Sequence, residues 1–136
     1  MSGIFIEPNE EIVIDVYVAI SDSGEVFADT DKAEVLRDYE GKPENLMAHS
    51  VKFRRPDYKA EVAIYSDIIK SNSSGVAEQS LQLDLAGVTY KRFVNLIKSW
   101  TFKNEAGEIL PPTQENIDKL HPAVARAITS ELSNYV

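Results

Sequence analysis

The sequence predicts an α+β fold: a small antiparallel β unit on the N-terminal side packed against three or four C-terminal helices. Three observations lead there. Ile12, Ile14, Val16, Val18 and Ile20 alternate with polar neighbours, the period of a half-buried strand. Beyond Pro56 the apolar spacing changes to three and four residues, the period of amphipathic helices. No glycine- or proline-rich spacer long enough to divide two domains intervenes, and 136 residues suffice for one buried core. The chain therefore reads as one domain over 1–136, with an acidic, β-rich part over about 1–56 and a helical part over about 57–136.

Taken in order, Ile4, Phe5 and Ile6 precede Pro8 and fit either a short edge strand or a docked arm. Glu11 to Ile20 is a strand, with Asp15 and Tyr17 on its other face. Ser21-Asp22-Ser23-Gly24 is a turn, because Asp and Ser bond their own backbone and Gly accepts positive φ. Glu25 to Ala28 returns as a second strand. Asp29, Asp31 and Glu34 resemble a calcium loop, but Gly24 precedes the acids where that loop needs an internal glycine. Asp31 is better read as the cap of a short helix through Val35 and Leu36, and Asp38 to Asn45 as a loop. Ser50 to Arg55 alternates as a strand that Pro56 stops.

Asp57 caps the next helix, which ends near Ser71. Its apolar stripe is Tyr58, Val62, Tyr65 and Ile69, widened by Ile64 and Ile68. Asn72-Ser73-Ser74-Gly75 is a polar linker. Leu81, Leu83 and Leu85 alternate, as either an extended piece or a helix start. Thr89 is an N-cap for a helix whose apolar face carries Phe93, Leu96, Ile97 and Trp100, with Trp100 a core anchor in preference to an interface residue. Asn104 to Gly107 turns the chain, Pro111-Pro112 breaks it, and Thr113 caps a short helix with Ile117 and Leu120. Pro122 opens a last helix with a Val124, Ile128, Leu132 stripe, running to about Ser133.

Charge and motif content exclude several functions. Residues 1–48 hold 12 acids against 3 bases, a net of −9, while the remainder is close to neutral and the whole chain carries −8. Such a protein gains nothing from displacing counterions at phosphates, so no nucleic-acid partner is expected. Lys52, Arg54, Arg55 and Lys59 form the one basic cluster; without interleaved aromatics it reads as a solvated face pairing with the acidic third. No apolar run reaches the roughly 20 residues of a membrane span, and no secretory leader is evident, so no membrane partner is expected. Cysteine is absent, which removes disulfides and thiolate chemistry. Neither His49 nor His121 lies in a nucleophile motif, and no phosphate-cradling glycine loop occurs, so neither enzyme nor cofactor is expected.

The order Trp100, Gly107, Leu110-Pro111, Thr113-Gln114-Glu115-Asn116-Ile117, Leu120-His121-Pro122 and a closing helix resembles the small tail assembly chaperones and related tail-morphogenesis proteins of tailed bacteriophages. Phe53-Arg54-Arg55-Pro56 followed by a helix extends the likeness, which covers residues 50–136 and leaves the acidic third outside it. The resemblance implies a non-enzymatic protein of the host cytoplasm that binds phage tail proteins, the tape measure and the tail tube, during tail morphogenesis. A groove between the Tyr58–Ile69 and Phe93–Trp100 helices would suit a helical partner segment, with Tyr65, Ile69, Phe93, Ile97 and Trp100 as partner-binding residues. Two alternatives stand beside this: an acidic DNA-mimic inhibitor of a nucleic-acid-binding protein, and a structural tail accessory retained in the virion. A homo-oligomer is compatible with the sequence, though no heptad pattern supports one.

Overall fold

The computed structural model describes residues 4–72 and 85–136, with side chains described except at 67–72 and 85. Its centre is a four-stranded antiparallel sheet of order β2-β1-β3-β4. Strand β1 (Glu11–Ile20) is flanked on both sides. One partner is β2 (Val26–Asp29), the other β3 (Met47–Arg54). The pairing of β1 with β3 runs from Glu11↔Arg54 to Val18↔Met47. Such a ladder carries β3 three residues further back than its own alternation shows, because a ten-residue centre strand needs a partner along its length. At the other end Gly24, with φ +89°, closes the tight return to β2, and the Ser21 Oγ accepts from the Glu25 amide at 3.0 Å.

Alternation along β1 sorts its side chains as expected, with Ile12, Ile14, Val16 and Val18 buried and Asp15 exposed. Ile20 is the exception. It lies at the strand's last position, beyond the helices that cover this face, and is 49% exposed. Ala19 is fully buried on the opposite face, where it pairs with Phe27. Helix α1 (Lys32–Tyr39) covers that corner, with Tyr39 and Phe27 rings 6.0 Å apart. Asp31 caps α1 through the Ala33 amide. The expected loop from Asp38 is instead the end of α1 followed by a single 3₁₀ turn, Pro43–Asn45. Residues 4–6 form no strand; Ile4 is 90% and Phe5 70% exposed, while Ile6 is half-buried and lines a small pocket with Arg54, Arg55 and Asp57. Pro56 ends the chain's stay beside β1, so nothing remains there for residues 4–6 to pair with.

Asp57 caps α2 (Tyr58–Asn72) through the Ala60 amide at 2.9 Å. The stripe expected to face inward is only partly right. Tyr58 and Val62 are exposed, whereas Ile64 is buried with Val88, and Tyr65 packs against that pair. Helix α3 (Leu85–Leu96) begins before Thr89, whose hydroxyl donates to the Ala86 carbonyl from within the helix and caps nothing. The linker after Asn72, with Leu81 and Leu83, lies outside the described residues.

The largest departure follows. Ile97–Trp100 is not helix but strand β4, entered directly from Leu96. The open edge of β3 takes it as a partner, with Val51↔Trp100 and Lys52↔Ser99 in register and an irregularity before Phe53↔Ile97. Thr101 extends the join: its amide donates to the Ser50 carbonyl and its hydroxyl accepts from the Ser50 amide. A short hairpin comes next, pairing Lys103 with Ile109 around a turn in which Gly107 adopts φ +80°. The Trp100 indole N–H donates to the Leu110 carbonyl, so the hairpin is pinned to the end of β4.

Thr113 then caps α4 (Gln114–Asp118) through the Asn116 amide, and the Asn116 side chain returns a bond to the Pro111 carbonyl at 2.8 Å. His121 caps α5 (Pro122–Leu132), its Nδ1 accepting from the Ala123 amide. Phe93 and Leu96 from α3, Trp100 from β4, Ile117 from α4 and the Val124, Ile128, Leu132 face of α5 close one core over the sheet. Its aromatic centre is edge-to-face: Phe53 on Phe93 at 5.2 Å and Trp100 on Phe102 at 5.1 Å. Among the described residues no helix is long and apolar enough to cross a membrane.

Candidate functional site

The residues expected to meet a partner do not form one open surface. Phe93 and Trp100 are core side chains, 2% and 5% exposed, with ring centroids 6.5 Å apart. Ile97 packs against the same core from β4. Tyr65 belongs to the separate α2–α3 cluster, and the side chain of Ile69 lies outside the described residues. A groove between α2 and a Phe93–Trp100 helix is therefore replaced by two packed contacts, because the second half of that helix is sheet.

The α2–α3 contact is polar as well as apolar. The Arg92 guanidinium reaches Glu61 Oε2 at 3.3 Å and the Tyr65 hydroxyl at 3.0 Å, and lies 5.7 Å from the Tyr65 ring centroid. Glu61 Oε1 and Arg92 Nε are buried without a hydrogen-bond partner. The pair thus locks α2 to α3 while leaving part of its polar surface unsatisfied. Elsewhere charge is used locally. Lys98 on β4 reaches Glu11 on β1 at 2.6 Å, and this ammonium holds the Glu11 carboxyl below its ordinary range. Strand pairing and charge together join the acidic third to the rest of the chain, for the Lys52 ammonium also favours the ionised Glu11 carboxylate.

An open cleft does exist on the other side of α3, where α3, α4 and α5 converge. Its volume is about 490 Å³, and Phe93, Ile117, Leu120 and Pro122 give it an apolar floor. Tyr90 sits one turn before Phe93 and closes the rim: its hydroxyl donates to Asp118 Oδ1 at 2.7 Å and accepts from Gln114 Nε2 at 2.9 Å. The bond to Asp118 raises the Tyr90 pKa, so its phenol keeps its proton and works as a brace between α3 and α4. A second cleft of about 580 Å³ adjoins the first across α5, sharing Thr89, Arg126 and Thr129 and adding Asp29, Ser130 and Glu131. Among the described residues no three metal-binding side chains converge. What the arrangement offers is apolar surface with hydrogen-bonding and charged rims, which is binding chemistry.

Sequence reading placed Ile117 and Leu120 on one side of α4 and Phe93 inward on α3, but it did not bring them together. The available signal was Tyr90 one turn before the apolar Phe93, and the polar pair Gln114 and Asp118 at i and i+4 on α4, beside its apolar face. No protein-family model, curated protein or solved structure matches this chain.

Proposed function

We propose that this chain is a non-enzymatic tail assembly chaperone of a tailed bacteriophage, binding tape measure and tail tube proteins in the host cytoplasm during tail morphogenesis. One observation carries the reading. The segment from Trp100 to Pro122, whose order resembles those chaperones, is also the segment that supplies Ile117, Leu120 and Pro122 to an open apolar cleft. An apolar floor rimmed by Tyr90, Asp118 and Arg126 suits a protein segment, with side chains in the floor and its polar edge at the rim.

The test is a pull-down from phage-infected cells with the whole chain as bait, read by mass spectrometry. Recovery of a long helical tape-measure-like protein, together with absence of the chain from purified virions, is the expected result. A host nuclease or DNA-binding protein as the main catch would overturn the proposal in favour of an acidic mimic. Finding the chain in purified particles would overturn it in favour of a retained tail accessory.

A further inference from the structure

The two clefts on either side of α5 share Thr89, Arg126 and Thr129, so they act as one surface with an apolar end and a polar end. Its ionisable lining is unbalanced. Asp118 stands at the apolar end, Asp29 and Glu131 at the polar end, and Arg126 between them: three carboxylates against one guanidinium. Hydrogen bonds from the Tyr90 hydroxyl to Asp118 and from the Asp31 amide to Asp29 orient two of these carboxylates. Excess negative charge therefore stands at both ends of the surface. An apolar floor does not suit a wholly polar ligand, and the field repels acidic segments and phosphates.

We infer that this double cleft docks a cationic amphipathic segment of a protein partner, its aliphatic side chains on Phe93, Ile117 and Leu120 and its lysines or arginines at Asp118 and at Asp29 and Glu131. Arg126 sets the spacing. Its exposed guanidinium disfavours a cation at the middle of the surface and so selects segments whose charges fall towards the two ends. The inference does not rest on the assembly-chaperone reading. The peptide experiment below can fail while infected cells still yield a tape measure protein through another surface, and the reverse also holds.

The test uses the whole chain and two labelled helical peptides with the same leucine pattern, one with lysines and one with glutamates on its polar face, followed by fluorescence anisotropy. The lysine peptide should bind about tenfold or more tightly than the glutamate peptide, with the difference shrinking as salt is raised. Asp118→Asn combined with Glu131→Gln should weaken it about three- to tenfold, and Arg126→Gln should tighten it by a smaller factor. Leu120→Ser should weaken both peptides alike; circular dichroism confirms that each variant is folded. Equal binding of the two peptides, binding of neither, or indifference to the Asp118→Asn/Glu131→Gln pair would overturn the inference. So would a second copy of the chain filling the cleft, seen as a dimer that dissociates on Arg126→Glu and that the peptide does not displace.

Discussion

Trp100 separates two accounts of this molecule, and replacing it by alanine distinguishes them. As an exposed anchor for a partner, its loss would abolish binding and leave the fold intact. Its surroundings predict the reverse. The indole is 5% exposed, meets Phe93 and Phe102 edge-to-face, and donates its N–H to the Leu110 carbonyl. Emptying such a site costs about 3–5 kcal/mol. Against a total stability of about 5–15 kcal/mol for a domain, that is a large fraction. With a urea m value of about 2 kcal/mol/M, the unfolding midpoint should fall by about 1.5–2.5 M. Trp100→Phe keeps an aromatic ring but leaves the Leu110 carbonyl without its donor, so about 1–2 kcal/mol is expected. Val62→Ala on the exposed side of α2 serves as the control and should stay within about 0.5 kcal/mol. Far-UV circular dichroism is the readout, because the substitution removes the only tryptophan. A Trp100→Ala cost below about 1 kcal/mol, with m unchanged, would refute the assignment of this residue to the core.

Two further outcomes follow from groups with unusual surroundings. Arg92→Met should strand the half-buried Glu61 carboxylate and cost about 1–3 kcal/mol, while Arg92→Met with Glu61→Met should recover part of that loss; a purely additive double-mutant cycle in urea unfolding would show that the pair does not couple α2 to α3. His49 packs on the Phe102 ring at 4.8 Å, and burial pushes its pKa below the ordinary 6.5; a hydrogen bond with Thr101 opposes the shift and the Lys103 charge adds to it. The unfolded chain then takes up its proton first, so the contribution of His49 to stability is constant above about pH 7.5 and declines as pH falls through 6.5 towards the lowered folded value. Unfolding midpoints of His49→Gln should decline less than wild type between about pH 7.5 and 5, and identical slopes would sink this account.

Much of the fold is legible because its signals are local. Alternation from Ile12 to Val18 needs only one covered face, and Asp31, Asp57 and Thr113 each announce a helix by a bond to an amide two or three residues on. The errors occur where a distant partner decides. Phe93, Leu96, Ile97 and Trp100 have helical spacing, yet the edge of β3 offered backbone bonds that a continued helix would have left unmade there. A helix that turns directly into a strand also buries Phe93, Leu96 and Trp100, so burial alone does not reveal the change. On α2 two apolar stripes were present, and Val88 of α3 determined that Ile64 and not Val62 would be covered.

The cleft was illegible for the same reason: it is made between elements. Tyr90 lies 24 residues from Gln114 and 28 from Asp118, and no local pattern joins them. Helix α5 shows what the sequence could and could not supply. Its stripe Val124, Ile128, Leu132 fixes the face turned to the core, and the same period places Ala125, Arg126 and Thr129 away from it. That those positions face a cleft depends on α3 and α4 standing alongside. Because the two faces of α5 are separate, Arg126 can be changed without opening a cavity beneath it. Loss of binding in an Arg126, Asp118 or Glu131 variant would therefore report on the surface itself, whereas loss of binding in a Phe93 or Trp100 variant would report first on the core.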